Sequence, residues 1–581
     1  MADKRYGSDL IVDLFKMYDF EYASLNPGSS FRGLHDSMVN YGQNVKPMMI
    51  ECCHEEIAVG IAHGYAKATG KPMLTILHNV VGLLHGAMAI YYAYLDRVPM
   101  VIVGATGPMD IPRRRPFIDW IHTAMIQGNA IREYVKWDDQ PFTIESVPDS
   151  FARAYRVAVT EPKGPVYVCY DVTMQEDPLE VDVPLPQREK VAAPSSIQAD
   201  GAALEKAADL LVAAQNPVVL CDYMGRNPGA VDRLVELADC LALPVMDLGK
   251  RFNFPNTHPM DLTGSRAVVE NADLVLALDV RDLHKPLSRL DEITRRSEFF
   301  VGPDCKIVDI GLDDLGISKW SQDFQKLSEV DLSILADTSL ALPELLGRCR
   351  KKLDGDAARQ DQIRQRYERL SKQHKDIRSK WREAARKDWD LQPMTTARLA
   401  WEIWEVIKEE DWVLTANTLR DWTRKLWDWD KPYRHPGHSL GTATQIGISL
   451  GVALAHKGSG KLVVDIQPDG DLLFDASALW VAAYYQIPML IVMYNNRAYY
   501  NDWNHQIQMA RQRNTPIENA YIGMEINNPA PDFATLARSF SVHAEGPFED
   551  GGQVQDALKR AIQYIKKEGK PALIDTVTQP V

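Results

Sequence analysis

No stretch of about 18 consecutive apolar residues occurs in the 581-residue sequence, so a membrane-spanning helix is not expected. The opening MADKRYGSDLIVDLF lacks the apolar centre of a signal peptide, which makes the cytoplasm the expected location. Cysteine is sparse: seven residues, odd in number and scattered, with no CxxC pair. That excludes a disulfide framework and argues against a zinc site, and the adjacent Cys52 and Cys53 are expected to pack in the core. Basic residues are outnumbered, 65 Lys and Arg against 79 Asp and Glu, and the net charge of -14 argues against nucleic acid as a partner. No GxGxxG fingerprint appears, so FAD is not expected. Short repeats and low-complexity tracts are absent as well. What remains is a chain long enough for several packed cores, whose expected partners are small molecules.

Short apolar runs alternate with helical patterns along the whole sequence. MLTIL (73–77), MVIVG (100–104) and VYVCY (166–170) read as buried strands in the first 185 residues. A proline-rich stretch from Pro178 to Pro194 reads as a linker. PVVLCD (217–222), LPVMDL (243–248) and ADLVLALDV (272–280) are the strands of a second unit over 195–345, and the charged segment 350–390 reads as a solvated helix. WVLTA (412–416), LVVDIQ (462–467), MLIVMYN (489–495) and ALIDTV (572–577) are the strands of a third unit over 391–581. The expected fold is α/β: three doubly wound, parallel-sheet domains.

The most informative segment is PDGDLLFDASALWVAAYYQIPMLIVMYNNRAYY (468–500). Ligands of such sheets sit beyond the carboxyl ends of strands, and Asp469 and Asn496 fall at two successive strand ends. Magnesium takes hard oxygen ligands, and a carboxylate (Asp469), an amide oxygen (Asn496) and the carbonyl of Ala498 meet that need. Gly470 lets a backbone approach a diphosphate, and the helix start behind it offers free N–H groups. Asp471 adds a second carboxylate, expected to point away or cap the helix. Farther forward, ECCHEEIAVGIAHGYAKATGKP (51–72) places Glu55 and Glu56 at the start of a helix rich in small residues. LNPGSSFRGL (25–34) and ILHNVVGLLHGAMA (76–89) bring Ser29 and His78 to further strand ends, and SLGTATQIGISLGVALAHKG (439–458) offers Thr442 and Ile446.

Taken together these segments resemble the thiamine-diphosphate (ThDP) enzymes, the group of acetolactate synthase, benzoylformate decarboxylase and oxalyl-CoA decarboxylase. The family's GDG motif stands here as Pro468-Asp469-Gly470, with Pro in place of the first glycine, and its NN pair as Asn495-Asn496 at the family's spacing. Its HE-x(8)-GYA-x-A-x-GKP signature puts the glutamate at Glu55 rather than Glu56.

The resemblance implies N-terminal pyrimidine-binding, central and diphosphate-binding domains. ThDP and Mg2+ are the implied cofactors, with Glu55 driving cofactor tautomerisation and Ile446 as a wedge that bends the cofactor. Leu440 to Thr444, with Gly470, Asp471 and Asn496, are implied near the diphosphate. Ser29, His78 and a central-domain His284 are implied as catalytic groups, and His122 as a substrate-channel residue. Tyr499, Tyr500 and Trp503 are candidates to line the pocket; Arg113, Arg114 and Arg115 read as a solvated loop.

The implied activity is decarboxylation of a 2-keto acid through a C2 carbanion and an enamine, as in benzoylformate decarboxylase. An acetolactate-synthase-like carboligase that adds an aldehyde or keto acceptor is the alternative, and a silent ThDP-binding protein is the reading of another class. In the family the glutamate and the metal loop come from neighbouring subunits, which implies a homodimer at minimum and a homotetramer as the higher form.

Overall fold

The computed structural model describes residues 5–115, 118–291, 293–315, 324, 326–438 and 441–580. Three parallel sheets are laid out in chain order. The first holds β1 (Tyr22–Leu25), β2 (Met48–Glu51), β3 (Met73–Ile76), β4 (Met100–Thr106), β5 (Trp137–Asp139) and β6 (Pro165–Asp171), in spatial order β2-β1-β3-β4-β6-β5. The second holds β7 (Pro217–Cys221), β8 (Val245–Asp247) and β9 (Leu274–Leu278) and, after a small antiparallel hairpin (β10 Ser288–Leu290, β11 Ser297–Phe299), β12 (Lys306–Gly311) and β13 (Leu332–Leu335), ordered β13-β12-β9-β7-β8. The third holds β14 (Trp412–Leu414), β15 (Leu462–Pro468), β16 (Leu490–Asn495), β17 (His543–Phe548) and β18 (Ala572–Val577), ordered β14-β15-β16-β18-β17.

Every named pairing within these three sheets is parallel. Helices therefore cover both faces, and the central strands are apolar along their whole length: all seven residues of β4 and all five of β9 are buried. In each of the three sheets the order doubles back, which opens a crevice at the carboxyl ends. The expected three-domain α/β architecture is the one observed. Strands β1, β2, β5, β12, β13 and β17 were not expected from the sequence. They are short or carry partly exposed positions, as in the half-exposed WDD of β5.

The charged segment 350–390 is helical and largely exposed, as expected, but one face of it is buried. The 29-residue helix Ala357–Ala385 lays a row of buried side chains, among them Arg359, Arg366 and His374, against the central domain. The Arg366 guanidinium donates to the carbonyls of Ala214, Gln215, Leu241 and Ala242, Arg359 donates to Ala214, and the His374 ring meets the Asp261 carbonyl at 2.7 Å. Those carbonyls include ones at the carboxyl ends of two central-domain helices, where cations complete unsatisfied acceptors. Lost water contacts on Arg366 push its pKa down to about 10. The segment is a strut whose inward face carries Arg359, Arg366 and His374, while its other charges face solvent.

The N-terminal and C-terminal domains of the one chain are fused through two glycine-rich helices, Glu55–Thr69 and Thr444–Ala455. A methyl group on Gly64 would lie 1.9 Å from the Ile448 carbonyl oxygen, and one on Gly451 would lie 2.1 Å from that of Ile61. Only glycine permits backbones this close. The buried cluster around this seam joins Ile57, Ala58 and Ile61 to Ile446, Ile448 and Val452. Lys67 tightens it: its buried ammonium donates to Asp96 at 2.6 Å and to the His438 carbonyl at 2.8 Å.

Candidate active site

Adjacent strands deliver the site. In the third sheet β15 and β16 are neighbours, with Pro468 opposite Tyr494, so Asp469 and Asn496 leave the sheet side by side. The Ala498 amide donates to both, to Asp469 Oδ2 at 3.2 Å and to Asn496 Oδ1 at 3.0 Å, which draws the two oxygens toward a common point. Asp469 is buried, and loss of solvent pushes its pKa up to about 6 although backbone N–H groups of Gly470, Arg497 and Ala498 favour the charged form. A buried carboxylate, an amide oxygen and a nearby carbonyl are the donor set a hard divalent ion takes. Gly470 keeps room beneath Tyr499: a methyl group there would lie 2.5 Å from the ring.

Asp471 does not turn away. Its carboxylate accepts from the Ala443 amide at 2.6 Å and the Gln445 amide at 3.2 Å. It caps the amino end of the neighbouring helix Thr444–Ala455 rather than its own. Gly441, Thr442 and Ala443 all have positive φ (77°, 60° and 71°), and this strained turn is held by that cap and by the Tyr92 hydroxyl on Thr442 Oγ1 at 3.1 Å. The turn leads directly to Ile446, fully buried at the domain seam. Leu440 lies outside the described residues.

In the first sheet, β2, β1 and β3 are neighbours, and the segments beyond their carboxyl ends carry Glu55, Ser29-Ser30 and His78. Glu55 is 3% exposed. Its Oε2 lies 3.0 Å from His85 Nδ1, and its Oε1 faces Gly82, where an added methyl would stand 3.0 Å from both that oxygen and His78 Cβ. Glu56 points elsewhere: with His54 and Asp475 it groups three ligand-bearing side chains within 4.8 Å. Burial and the nearby carboxylates push Glu56 and Asp475 each up to about 7. Asp475 immediately follows the short helix that Asp469 opens, so the segment 54–56 abuts the metal side of the site.

Ser30, next to the expected Ser29, meets His78. Ser30 Oγ accepts from the Asn79 amide at 3.1 Å and lies 2.8 Å from His78 Nδ1. His122 stands beside His78, ring centroids 5.7 Å apart. His284 is placed otherwise. It is buried in the central domain, 2.8 Å from Ser297 Oγ and edge-on to Phe299 and Phe324, all residues of that domain.

Arg113 and Arg115 pair with Asp177 and Glu176, and Arg114 lies 3.4 Å over the Trp120 ring, so this loop is pinned rather than solvated. Tyr500 and Trp503 pack edge to face at 5.7 Å beside the metal loop. Cys52 is buried as expected, whereas Cys53 is exposed. Sequence reasoning missed Ser30, Gly82 and His85. Their signal was position alone, a second serine after NPG and a second histidine seven residues beyond His78.

The fold and the site thus define an enzyme that holds a cofactor with a diphosphate at one end and a ring needing a carboxyl partner at the other, across the seam of two α/β domains. The comparisons give the family. Residues 5–124 match the thiamine pyrophosphate enzyme N-terminal TPP binding domain, 204–345 the central domain and 418–576 the C-terminal TPP binding domain. The chain belongs to the ThDP-dependent enzyme family and is an enzyme that uses this cofactor.

Similar proteins include the acetolactate synthase large subunit of Haemophilus influenzae, 24% identical over 97% of this chain and 94% of that one. The benzoylformate decarboxylase of Pseudomonas aeruginosa is 24% identical over 91% of each. The solved benzoylformate decarboxylase of Polynucleobacter necessarius superposes with a TM-score of 0.74 at 17% identity, over 99% of this chain and all of that one.

Among the described residues no helix is long and apolar enough to cross a membrane.

Proposed function

We propose that the chain is a ThDP- and Mg2+-dependent 2-keto acid decarboxylase. The observation that carries this reading is the pairing of buried Glu55 with a second cluster, Ser30-His78-His122, on neighbouring strand ends of one domain. Asp469, Asn496 and the Ala498 carbonyl would hold Mg2+, which would in turn hold the diphosphate. When bound, ThDP supplies a carbon nucleophile and an electron sink for the bond next to a keto group. Glu55 holds a proton at the pyrimidine ring, in a site whose burial makes that contact strong. His78, held by Ser30, would donate to the substrate carboxylate or protonate the carbon that loses carbon dioxide. Ile446 keeps the seam closed under the cofactor and excludes water.

A second reading, an acetolactate-synthase-like carboligase, draws support from the similarity to acetolactate synthases over nearly the full chain. The two readings part only after carbon dioxide is lost, when a second carbonyl compound takes the place of a proton. A dimer or tetramer is the proposed assembly, supported by exposed Leu473, Phe474 and Tyr484 on the short helices that come after Pro468.

The test is incubation of the purified enzyme, ThDP and Mg2+ with a panel of 2-keto acids, with and without aldehyde acceptors, followed by mass spectrometry. Carbon dioxide plus an aldehyde from a single keto acid supports the decarboxylase. Product formed only when an acceptor is present supports the carboligase and rejects the first reading.

A further inference from the structure

Glu55 is placed for its role by a residue that nothing in the family motifs singles out. His85 ends the short helix Val80–His85, which begins two residues after His78. Its Nδ1 meets Glu55 Oε2 at 3.0 Å. The two partners differ sharply in exposure: the Glu55 side chain is 4% exposed and the His85 side chain 50%. On its other face the His85 ring stacks on His54, centroids 5.0 Å apart and planes 23° apart. His54 Nδ1 is itself engaged, accepting from the Glu56 amide at the start of the helix. The imidazole of His85 is thus fixed by a stacked ring and a carboxyl contact, with one edge buried against Glu55 and the rest of the ring reaching the surface. Gly82, one turn back on the same helix, leaves Glu55 Oε1 uncrowded, since a methyl there would stand 3.0 Å from that oxygen.

We propose that His85 is the positioning residue and proton conduit for Glu55. A carboxyl buried this deeply cannot exchange its proton with water directly, yet each activation of the cofactor requires it to give one up and recover it. In the proposed step Glu55 passes its proton to the pyrimidine ring nitrogen, His85 gives one from Nδ1 to Oε2, and Nε2 takes one from water, leaving hydroxide in solvent. The relay then runs back, from the ring nitrogen to Oε1, from Oε2 to Nδ1 and from Nε2 to that hydroxide, so every group returns to its starting protonation. The inference rests on the ThDP reading above.

The test is the rate at which bound ThDP exchanges its C2 proton for deuterium, followed by quench-flow and proton NMR, with ThDP affinity measured separately by calorimetry in the presence of Mg2+. His85→Ala is expected to slow exchange about a hundredfold, to bind ThDP within about threefold of the parent, as a group acting only on the proton should, and to regain exchange when imidazole is added. His85→Gln keeps a donor at the same reach but cannot pass a proton through, so it is expected to be slow as well; it carries the test if the alanine variant fails to fold. Exchange within about twofold of the parent in His85→Ala, or full recovery in His85→Gln, overturns the proton role. Absence of ThDP binding by the parent chain overturns this inference together with the function it rests on, and calorimetry separates that outcome from the others.

Discussion

Two adjacent glutamates, Glu55 and Glu56, start the same helix and do different things because they face different neighbours. Glu55→Gln removes the proton that the pyrimidine ring needs but keeps the shape of the site. It is expected to bind ThDP within about threefold of the parent while turnover falls by about a hundredfold or more. Near-parental turnover in that variant would remove Glu55 from the chemistry. Glu56 and Asp475, each raised to about 7 by burial beside other carboxylates, act on stability instead. A carboxyl whose pKa rises on folding gives the folded chain extra protons between its unfolded value and about 7. These two groups therefore favour the folded state at low pH, and their contribution is lost as pH climbs through that window. In the cofactor-free chain, the double variant Glu56→Gln/Asp475→Asn is expected to show a shallower fall of melting temperature between about pH 5 and 7. Unchanged slopes in thermal melts across that range would refute the assignment.

At the scale of elements, the site depends on the crossing of the helices Glu55–Thr69 and Thr444–Ala455. Gly64→Ala or Gly451→Ala would drive a methyl into a backbone carbonyl, and neither helix can shift without moving Glu55 or Ile446. Overpacking of this kind costs about 1–3 kcal/mol or more. Both variants are expected to melt lower than the parent and to lose ThDP affinity, and a variant that melts lower yet binds ThDP normally would uncouple the seam from the site. On the metal side, Asp469→Ala is expected to weaken Mg2+-dependent retention of ThDP by about a hundredfold, read by calorimetry with and without the metal. Equal affinity in the two conditions would count against Asp469 as a ligand.

These elements also show what the sequence makes legible. Asp469 and Asn496 stand out in the sequence because each follows a strongly apolar strand, whereas Glu55 is preferred to Glu56 only through the resemblance to the family signature. Ser30 lies one position beyond the expected Ser29, and sequence spacing alone does not show that its hydroxyl reaches His78. His85 was hidden because its partner is 30 positions away in sequence. The helix 357–385 was half legible: most of its charges are solvated as the sequence suggests, but Arg359 and Arg366 answer helix-end carbonyls that only the tertiary fold brings near.

At the scale of the whole molecule, the three domains divide the work. The first carries the proposed proton-handling residues and the third the proposed metal donors, while the central domain touches both, Arg281 donating to the Leu95 carbonyl and Asp247 pairing with Arg424. His284, enclosed by Phe299, Phe324 and Ser297, belongs to that scaffold, so His284→Ala is expected to lower thermal stability with little change in turnover per folded molecule. The most direct measurement is a crystal structure of the chain grown with ThDP and Mg2+. Metal density bonded to Asp469, Asn496 and the Ala498 carbonyl is expected, with the pyrimidine ring hydrogen-bonded to Glu55. Metal bound at other residues, or a pyrimidine ring out of reach of Glu55, would contradict the proposed site.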